Sequence, residues 1–150
     1  CPNIVGVKDS SGDLTYFDEL IRVAQDLRPD WSVFVGPELL LPEAHRRGAH
    51  GGIPGGANVL PQLFVDLYEA VCDGDVTRVE ALRSRAKQLA QLYEVGRMPG
   101  RIVVGIKTAL ALMGICHDAV ASSFERFDDE SRRRVHEILV SLDVPTMIRR

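Results

Sequence analysis

Ile4-Val5-Gly6-Val7-Lys8-Asp9-Ser10-Ser11-Gly12-Asp13 reads as a short β-strand that delivers a lysine at its end, just before a turn. Side chains alternate along a strand, so Ile4, Gly6 and Lys8 share one face and Val5 and Val7 the other. With Val5 and Val7 against covering helices, Lys8 points into the opposite space, and Gly6 beside it leaves room for a ligand. A primary amine there can do carbonyl chemistry. At the reference pKa of ~10.4 only about one lysine in 2,500 is the free amine at pH 7. Making the amine roughly half neutral costs about 4.6 kcal/mol of differential interaction, supplied by desolvation or a nearby cation. An enclosed pocket is therefore part of the expectation. The alternative is an ordinary surface lysine paired with Asp9 at a strand end.

Working outward, Asp13 caps a helix expected over residues 14–27, where Leu14, Phe17, Leu20, Ile21, Ala24 and Leu27 recur at helical spacing and Pro29 closes the run. A second strand, Ser32-Val33-Phe34-Val35-Gly36, leads through Pro37 into a helix expected over 38–47 with Leu40, Leu41 and Ala44, ending at Gly48. A third, shorter strand around Gly51-Gly52-Ile53 runs into Pro54-Gly55-Gly56-Ala57-Asn58 and a helix expected over 58–72, with Pro61 in its first turn. Strands alternating with helices imply a parallel sheet with right-handed crossovers.

From Gly74 the texture changes to helices only, which sets a boundary near Asp73 and divides the chain into 1–73 and 74–150. Val76 to Val95 is amphipathic, Arg97 to Arg101 is a loop, and Ile102 to Ile115 and Asp128 to Leu142 read as two more helices. Ile102-Val103-Val104-Gly105-Ile106-Lys107 imitates the opening strand. Yet Ile102, Ile106, Ala109, Leu110 and Met113 form a helix face, which places Lys107 inside a helix and ranks it below Lys8. Three βα units covered on one side leave the other sheet face and both edges unpaired, an arrangement that invites association.

At 150 residues and 45% hydrophobic, the chain is long enough for an ordinary core. A formal net charge of −3 with interspersed signs offers no stripe for nucleic acid, and the longest basic run, Arg132-Arg133-Arg134, sits in a charged helical segment. Apolar runs fall short of a membrane span. Cys1, Cys72 and Cys116 are odd in number and widely spaced, which suits free thiols in a reducing compartment and points to the cytoplasm. His45, His50, His117 and His136 lack metal-ligand spacing, so no metal is expected. The chain opens Cys1-Pro2-Asn3 and enters a strand almost at once, without a leading element, and reads as part of something longer.

Ligands in parallel α/β folds collect at the carboxyl ends of strands, where Lys8, Gly36 and the Gly51–Gly56 run fall. With these three strand ends in view, the chain resembles the dihydrodipicolinate synthase and N-acetylneuraminate lyase family. The matching pieces are Asn3 to Asp13, Gly36-Pro37-Glu38, and Gly48 to Asn58 with Pro61; Ile106-Lys107-Thr108-Ala109-Leu110 is similar to the start of a late helix. The resemblance implies an α/β fold: the last three βα units of a (β/α)8 TIM barrel, strands 6–8, followed from about residue 75 by a helical extension. It makes Lys8 the lysine that forms a Schiff base with pyruvate or another 2-keto acid, and it puts Gly36 at the end of the seventh strand. Ile53 becomes the eighth-strand residue whose backbone lies against the keto acid, and Ser10 matches a position near the substrate. Lys8 would attack the C2 carbonyl and lose water, giving an iminium that serves as electron sink for cleavage, condensation or dehydration without a cofactor. The expected partners are a small-molecule 2-keto acid and further copies of the chain, not nucleic acid or membrane.

The family's carboxylate-binding motif and proton-relaying tyrosine belong to earlier strands, and no segment here matches them; Tyr16, Tyr68 and Tyr93 fall on expected helices. Leu39 and Gly55 replace the acidic and hydroxyl residues that hold a sialic acid, and Gly36-Pro37-Glu38 departs from the usual acidic pattern of the synthases, which leaves a 2-keto-3-deoxy sugar-acid aldolase or dehydratase open. Two other readings stand beside this one. The chain could be an incomplete barrel segment that self-associates, or the glycine run could cradle a phosphate on backbone amides.

Overall fold

The computed structural model describes residues 1–147. Three strands, β1 (Gly6–Asp9), β2 (Ser32–Val35) and β3 (Gly51–Gly52), form one parallel sheet in the order β1-β2-β3. Each is followed by a helix: α1 (Leu14–Leu27), α2 (Leu41–Arg46) and α3 (Pro61–Asp73). This is the expected arc of a (β/α)8 barrel. The strand starts at Gly6, not Ile4, and Val5, expected under helices, stands ahead of the first paired residue and is 70% exposed. Val7 is half-buried.

The helix starts follow local chemistry. Asp13 Oδ1 accepts the amides of Thr15 at 2.8 Å and Tyr16 at 3.2 Å, giving α1 the N-cap foreseen from sequence. Phe17, Ile21 and Ala24 then bury one face, and the helix stops before Pro29, which disfavours helical backbone in the residue preceding it. The helix expected over 38–47 is instead a 3-10 turn, Glu38–Leu40, followed by α2. Pro42 has no N–H to offer the Glu38 carbonyl four residues back, so the Leu41 amide takes that carbonyl in the tighter pattern. In the same way, Gly55–Asn58 makes a separate 3-10 turn, and α3 begins at Pro61, where the missing N–H is not needed.

The remaining elements are α4 (Val76–Ala90), a 3-10 turn at Gln91–Glu94, α5 (Arg101–Leu112) and α6 (Asp129–Ser141). The described residues divide into two compact units inside α4: residues 1–57 with 61–83, and residues 58–60 with 84–147. The first has its core in Phe17, Ile21, Val33, Val35, Leu41, Leu63, Phe64 and Leu67, the second in Leu89, Leu92, Val104, Leu112, Val135 and Leu139. No helix among the described residues is long and apolar enough to cross a membrane.

Helix α5 confirms that Lys107 is not at a strand end, but it turns a different face inward. Val104, Gly105, Thr108, Ala109 and Leu112 are buried, whereas Ile102 is 46% exposed and Ile106 and Met113 only half-buried. The reason is Gly105. A Cβ there would lie 2.7 Å from the Leu92 carbonyl oxygen, so only the glycine-bearing face can approach the 91–94 turn so closely.

Candidate functional site

The ladder places the site. Lys8 is registered with Phe34 and Phe34 with Gly51, so these three share a row and a face of the sheet, opposite to Val7 and Val33. The last paired row is Asp9, Val35 and Gly52. The next residue in each strand is Ser10, Gly36 or Ile53. The three residues singled out beside Lys8 are therefore the first to leave the ladder at its carboxyl edge.

Hydrogen bonds tie that edge together. The Gly36 amide donates to the Asp9 carbonyl at 2.6 Å, and the Ile53 amide to the Val35 carbonyl at 2.9 Å. Asp9 itself is buried, and its carboxylate accepts the Ser11 amide at 2.9 Å and the Ser11 hydroxyl at 3.0 Å. Ser11 Oγ in turn accepts the Asp13 amide at 3.1 Å, and Asp13 caps α1. This Asp9-Ser11-Asp13 relay holds the turn that follows Lys8. Bonds to an ionised carboxylate are each worth about 1.5–3 kcal/mol. Sequence reasoning found the cap but missed Asp9 and Ser11; the alternation of Asp and Ser after a strand, both side chains that bond backbone amides two residues on, was the available signal.

Gly36 is where the candidate residues meet. A Cβ on Gly36 would lie 2.8 Å from Lys8 Cε, 2.6 Å from Ser10 Oγ and 3.0 Å from the Asp9 carbonyl oxygen. The lysine side chain thus crosses the carboxyl end of β2, with the Ser10 hydroxyl beside it, in space that any other residue at 36 would fill. Ile53 follows β3 at the same edge and is 51% exposed.

One expectation fails. Lys8 is exposed, not enclosed. It hangs from a flank strand of a three-stranded arc. The decoy lysine is elsewhere: Lys107 Nζ sits 3.8 Å from Cys116 Sγ beyond the end of α5. Tyr16 and Tyr68 lie on α1 and α3 as expected, whereas Tyr93 lies in the 3-10 turn at 91–94, because α4 ends at Ala90.

Comparison with known proteins agrees with this architecture. The chain is 30% identical over 142 residues to a 4-hydroxy-tetrahydrodipicolinate synthase of Archaeoglobus fulgidus, covering 95% of this chain and 47% of that protein. It is 33% identical to a DapA-like lyase of Pyrobaculum aerophilum, with coverage of 93% and 47%. Among solved structures, the dihydrodipicolinate synthase of Bacteroides thetaiotaomicron superposes with a TM-score of 0.87 at 38% identity, over 94% of this chain and 47% of that one. YagE of E. coli K12, a prophage protein of the dihydrodipicolinic acid synthase family solved in complex with pyruvate, gives 0.81 at 25% identity, over 96% and 48%. The chain spans about half the length of the relatives it matches. The model of the dihydrodipicolinate synthetase family matches residues 1–142, and the chain belongs to that family.

Proposed function

We propose that this chain supplies the Schiff-base lysine of a lyase acting on pyruvate or a related 2-keto acid, and that the lysine is Lys8. The free amine adds to the C2 carbonyl, a C–N bond forms, the carbonyl oxygen departs as water, and the resulting iminium draws electrons from the neighbouring carbon–carbon bond. The iminium is itself the electron sink, so the reaction asks for no bound cofactor. On this reading the Ser10 hydroxyl hydrogen-bonds a substrate oxygen, Gly36 leaves room for the lysine arm, and the Ile53 backbone lies against the keto acid. The observation that carries this reading is the convergence of Lys8 Cε and Ser10 Oγ on Gly36 at the carboxyl edge of the sheet. The pyruvate complex of YagE supports the substrate class. Three exposed free cysteines fit a reducing, cytoplasmic setting.

The test is borohydride reduction in the presence of pyruvate, followed by peptide mass mapping. The reduced adduct is expected on Lys8 and absent from Lys8→Arg; a folded chain in which Lys8 stays unmodified removes autonomous imine formation. The exposure of Lys8 favours a second reading, in which the arc must meet further strands before it works. Among the described residues the outer sides of β1 and β3 are unpaired, and unpaired edges recruit other strands, including those of a second copy. On that reading trapping is weak while sedimentation shows an oligomer.

A further inference from the structure

Away from the strand ends, α2 and α3 pack together and bring a thiol to an imidazole. Cys72 Sγ lies 3.6 Å from His45 Nε2. Tyr68, one turn before Cys72 on α3, sets its ring edge-on to His45 with centroids 5.9 Å apart and planes at 80°, which fixes the imidazole's orientation. The Tyr68 hydroxyl donates to the His50 carbonyl at 3.2 Å, and its ionisation is pushed up by hydrogen bonding with Cys72 first, then by burial and by the charge of Cys72. Cys72 is free and exposed, so a solute can reach its sulfur.

We propose that Cys72 and His45 form a nucleophilic thiol–imidazole pair, and that Cys72 is a site of mixed-disulfide formation with low-molecular-weight disulfides. His45 Nε2 takes the thiol proton. The Cys72 thiolate attacks one sulfur of the disulfide, the S–S bond breaks as a new one forms, and the departing thiolate collects the proton from His45 and leaves as a thiol. One disulfide is consumed and one is made, so no other oxidant enters. The other paired cysteine, Cys116, faces the Lys107 ammonium, which donates but has no lone pair to accept a proton. This site is separate from Lys8 and does not depend on the lyase reading.

The magnitude follows from the thiolate fraction. An ordinary cysteine is about 3% thiolate at neutral pH. A base that enlarges the thiolate share also lowers the basicity of the sulfur, which returns part of the gain, so the net acceleration is on the order of threefold. The experiment adds oxidised glutathione to the folded chain and to the urea-unfolded chain at neutral pH and follows glutathionylation of each cysteine by peptide mass mapping. Cys72 should react about threefold faster folded than unfolded. His45→Gln should bring folded Cys72 to or below its unfolded rate and leave Cys1 and Cys116 unchanged. A folded rate no higher than the unfolded one, or a rate in His45→Gln equal to that of the unaltered chain, overturns the proposal. Should His45→Gln not fold, the folded-against-unfolded comparison decides by itself.

Discussion

Replacing Gly36 by alanine tests the geometry of the site most directly. The new Cβ would start 2.8 Å from Lys8 Cε, 2.6 Å from Ser10 Oγ and 3.0 Å from the Asp9 carbonyl oxygen. Carbon atoms rest comfortably at about 3.5–4.0 Å, so the end of the lysine must retreat by roughly 1 Å, and the serine hydroxyl must rotate away. The carbonyl cannot rotate, because it accepts the residue 36 amide itself at 2.6 Å. Overpacking of this kind costs about 1–3 kcal/mol, or roughly 3–10 °C of melting temperature in a chain of this size. A nucleophile misplaced by about 1 Å loses on the order of a hundredfold in rate. Urea unfolding measures the first effect, and the rate of borohydride trapping with pyruvate, taken relative to the unaltered chain, measures the second. Adding Ser10→Gly removes one of the three close approaches and should recover part of the stability but not the trapping rate. A Gly36→Ala chain with the same unfolding midpoint and the same trapping rate would refute the claim that Lys8 occupies the end of β2.

Asp9→Ala should cost about 2–4 kcal/mol, because it strands the Ser11 amide and hydroxyl, and amide exchange should quicken at Ser11 and Asp13. Glu43 Oε1 meets Arg83 Nη1 at 2.8 Å with both side chains about one-fifth exposed, while Glu43 Oε2 and Arg83 Nε are buried without a hydrogen bond. Arg83→Met should therefore destabilise by about 1–3 kcal/mol, and adding Glu43→Gln should return most of it; an additive double variant would contradict the pairing. The Asp128 carboxyl is held below its ordinary value, first by the Ser131 amide it accepts and then by the Ser131 side chain. A depressed folded value means that its support of α6 is present above the unfolded carboxylate range near 3.9 and is lost as pH falls through the folded value. NMR titration should find Asp128 below an unstructured aspartate, with the α6 amides at Ser131 and Arg132 loosening only in acid.

How far the sequence carried depends on what kind of signal each element emits. The start of α1 was legible because a single residue announces it, Asp13 as its cap; the helix expected from 58 begins instead at Pro61, and the one expected from Asp128 has that residue as its cap. Lys107 was placed correctly within a helix because period 3.6 outweighed its local likeness to the first strand. What periodicity does not reveal is which of two apolar stripes faces inward. On α5 the choice fell to a glycine that admits the Leu92 carbonyl, a fact about a neighbour rather than about the helix. The division of the expected 38–47 helix was readable from Pro42, had the donor missing at that position been traced back to the Glu38 carbonyl. The position of the candidate residues was legible as strand ends in register, since Ser10, Gly36 and Ile53 each follow the final rung. The exposure of Lys8 was not, because enclosure depends on whatever stands across from a strand and leaves no mark on the strand itself.

The place of β1 at the flank of the sheet has its own consequence. Among the described residues Lys8 has a neighbouring rung on one side only, Phe34 of β2. Any strand that docks along the vacant side would bring a residue of its own to within roughly 4.8 Å of the Lys8 backbone, with its side chain on the same face. The immediate surroundings of this lysine are therefore written on its β2 side, and a strand taking up the vacant side would set the rest.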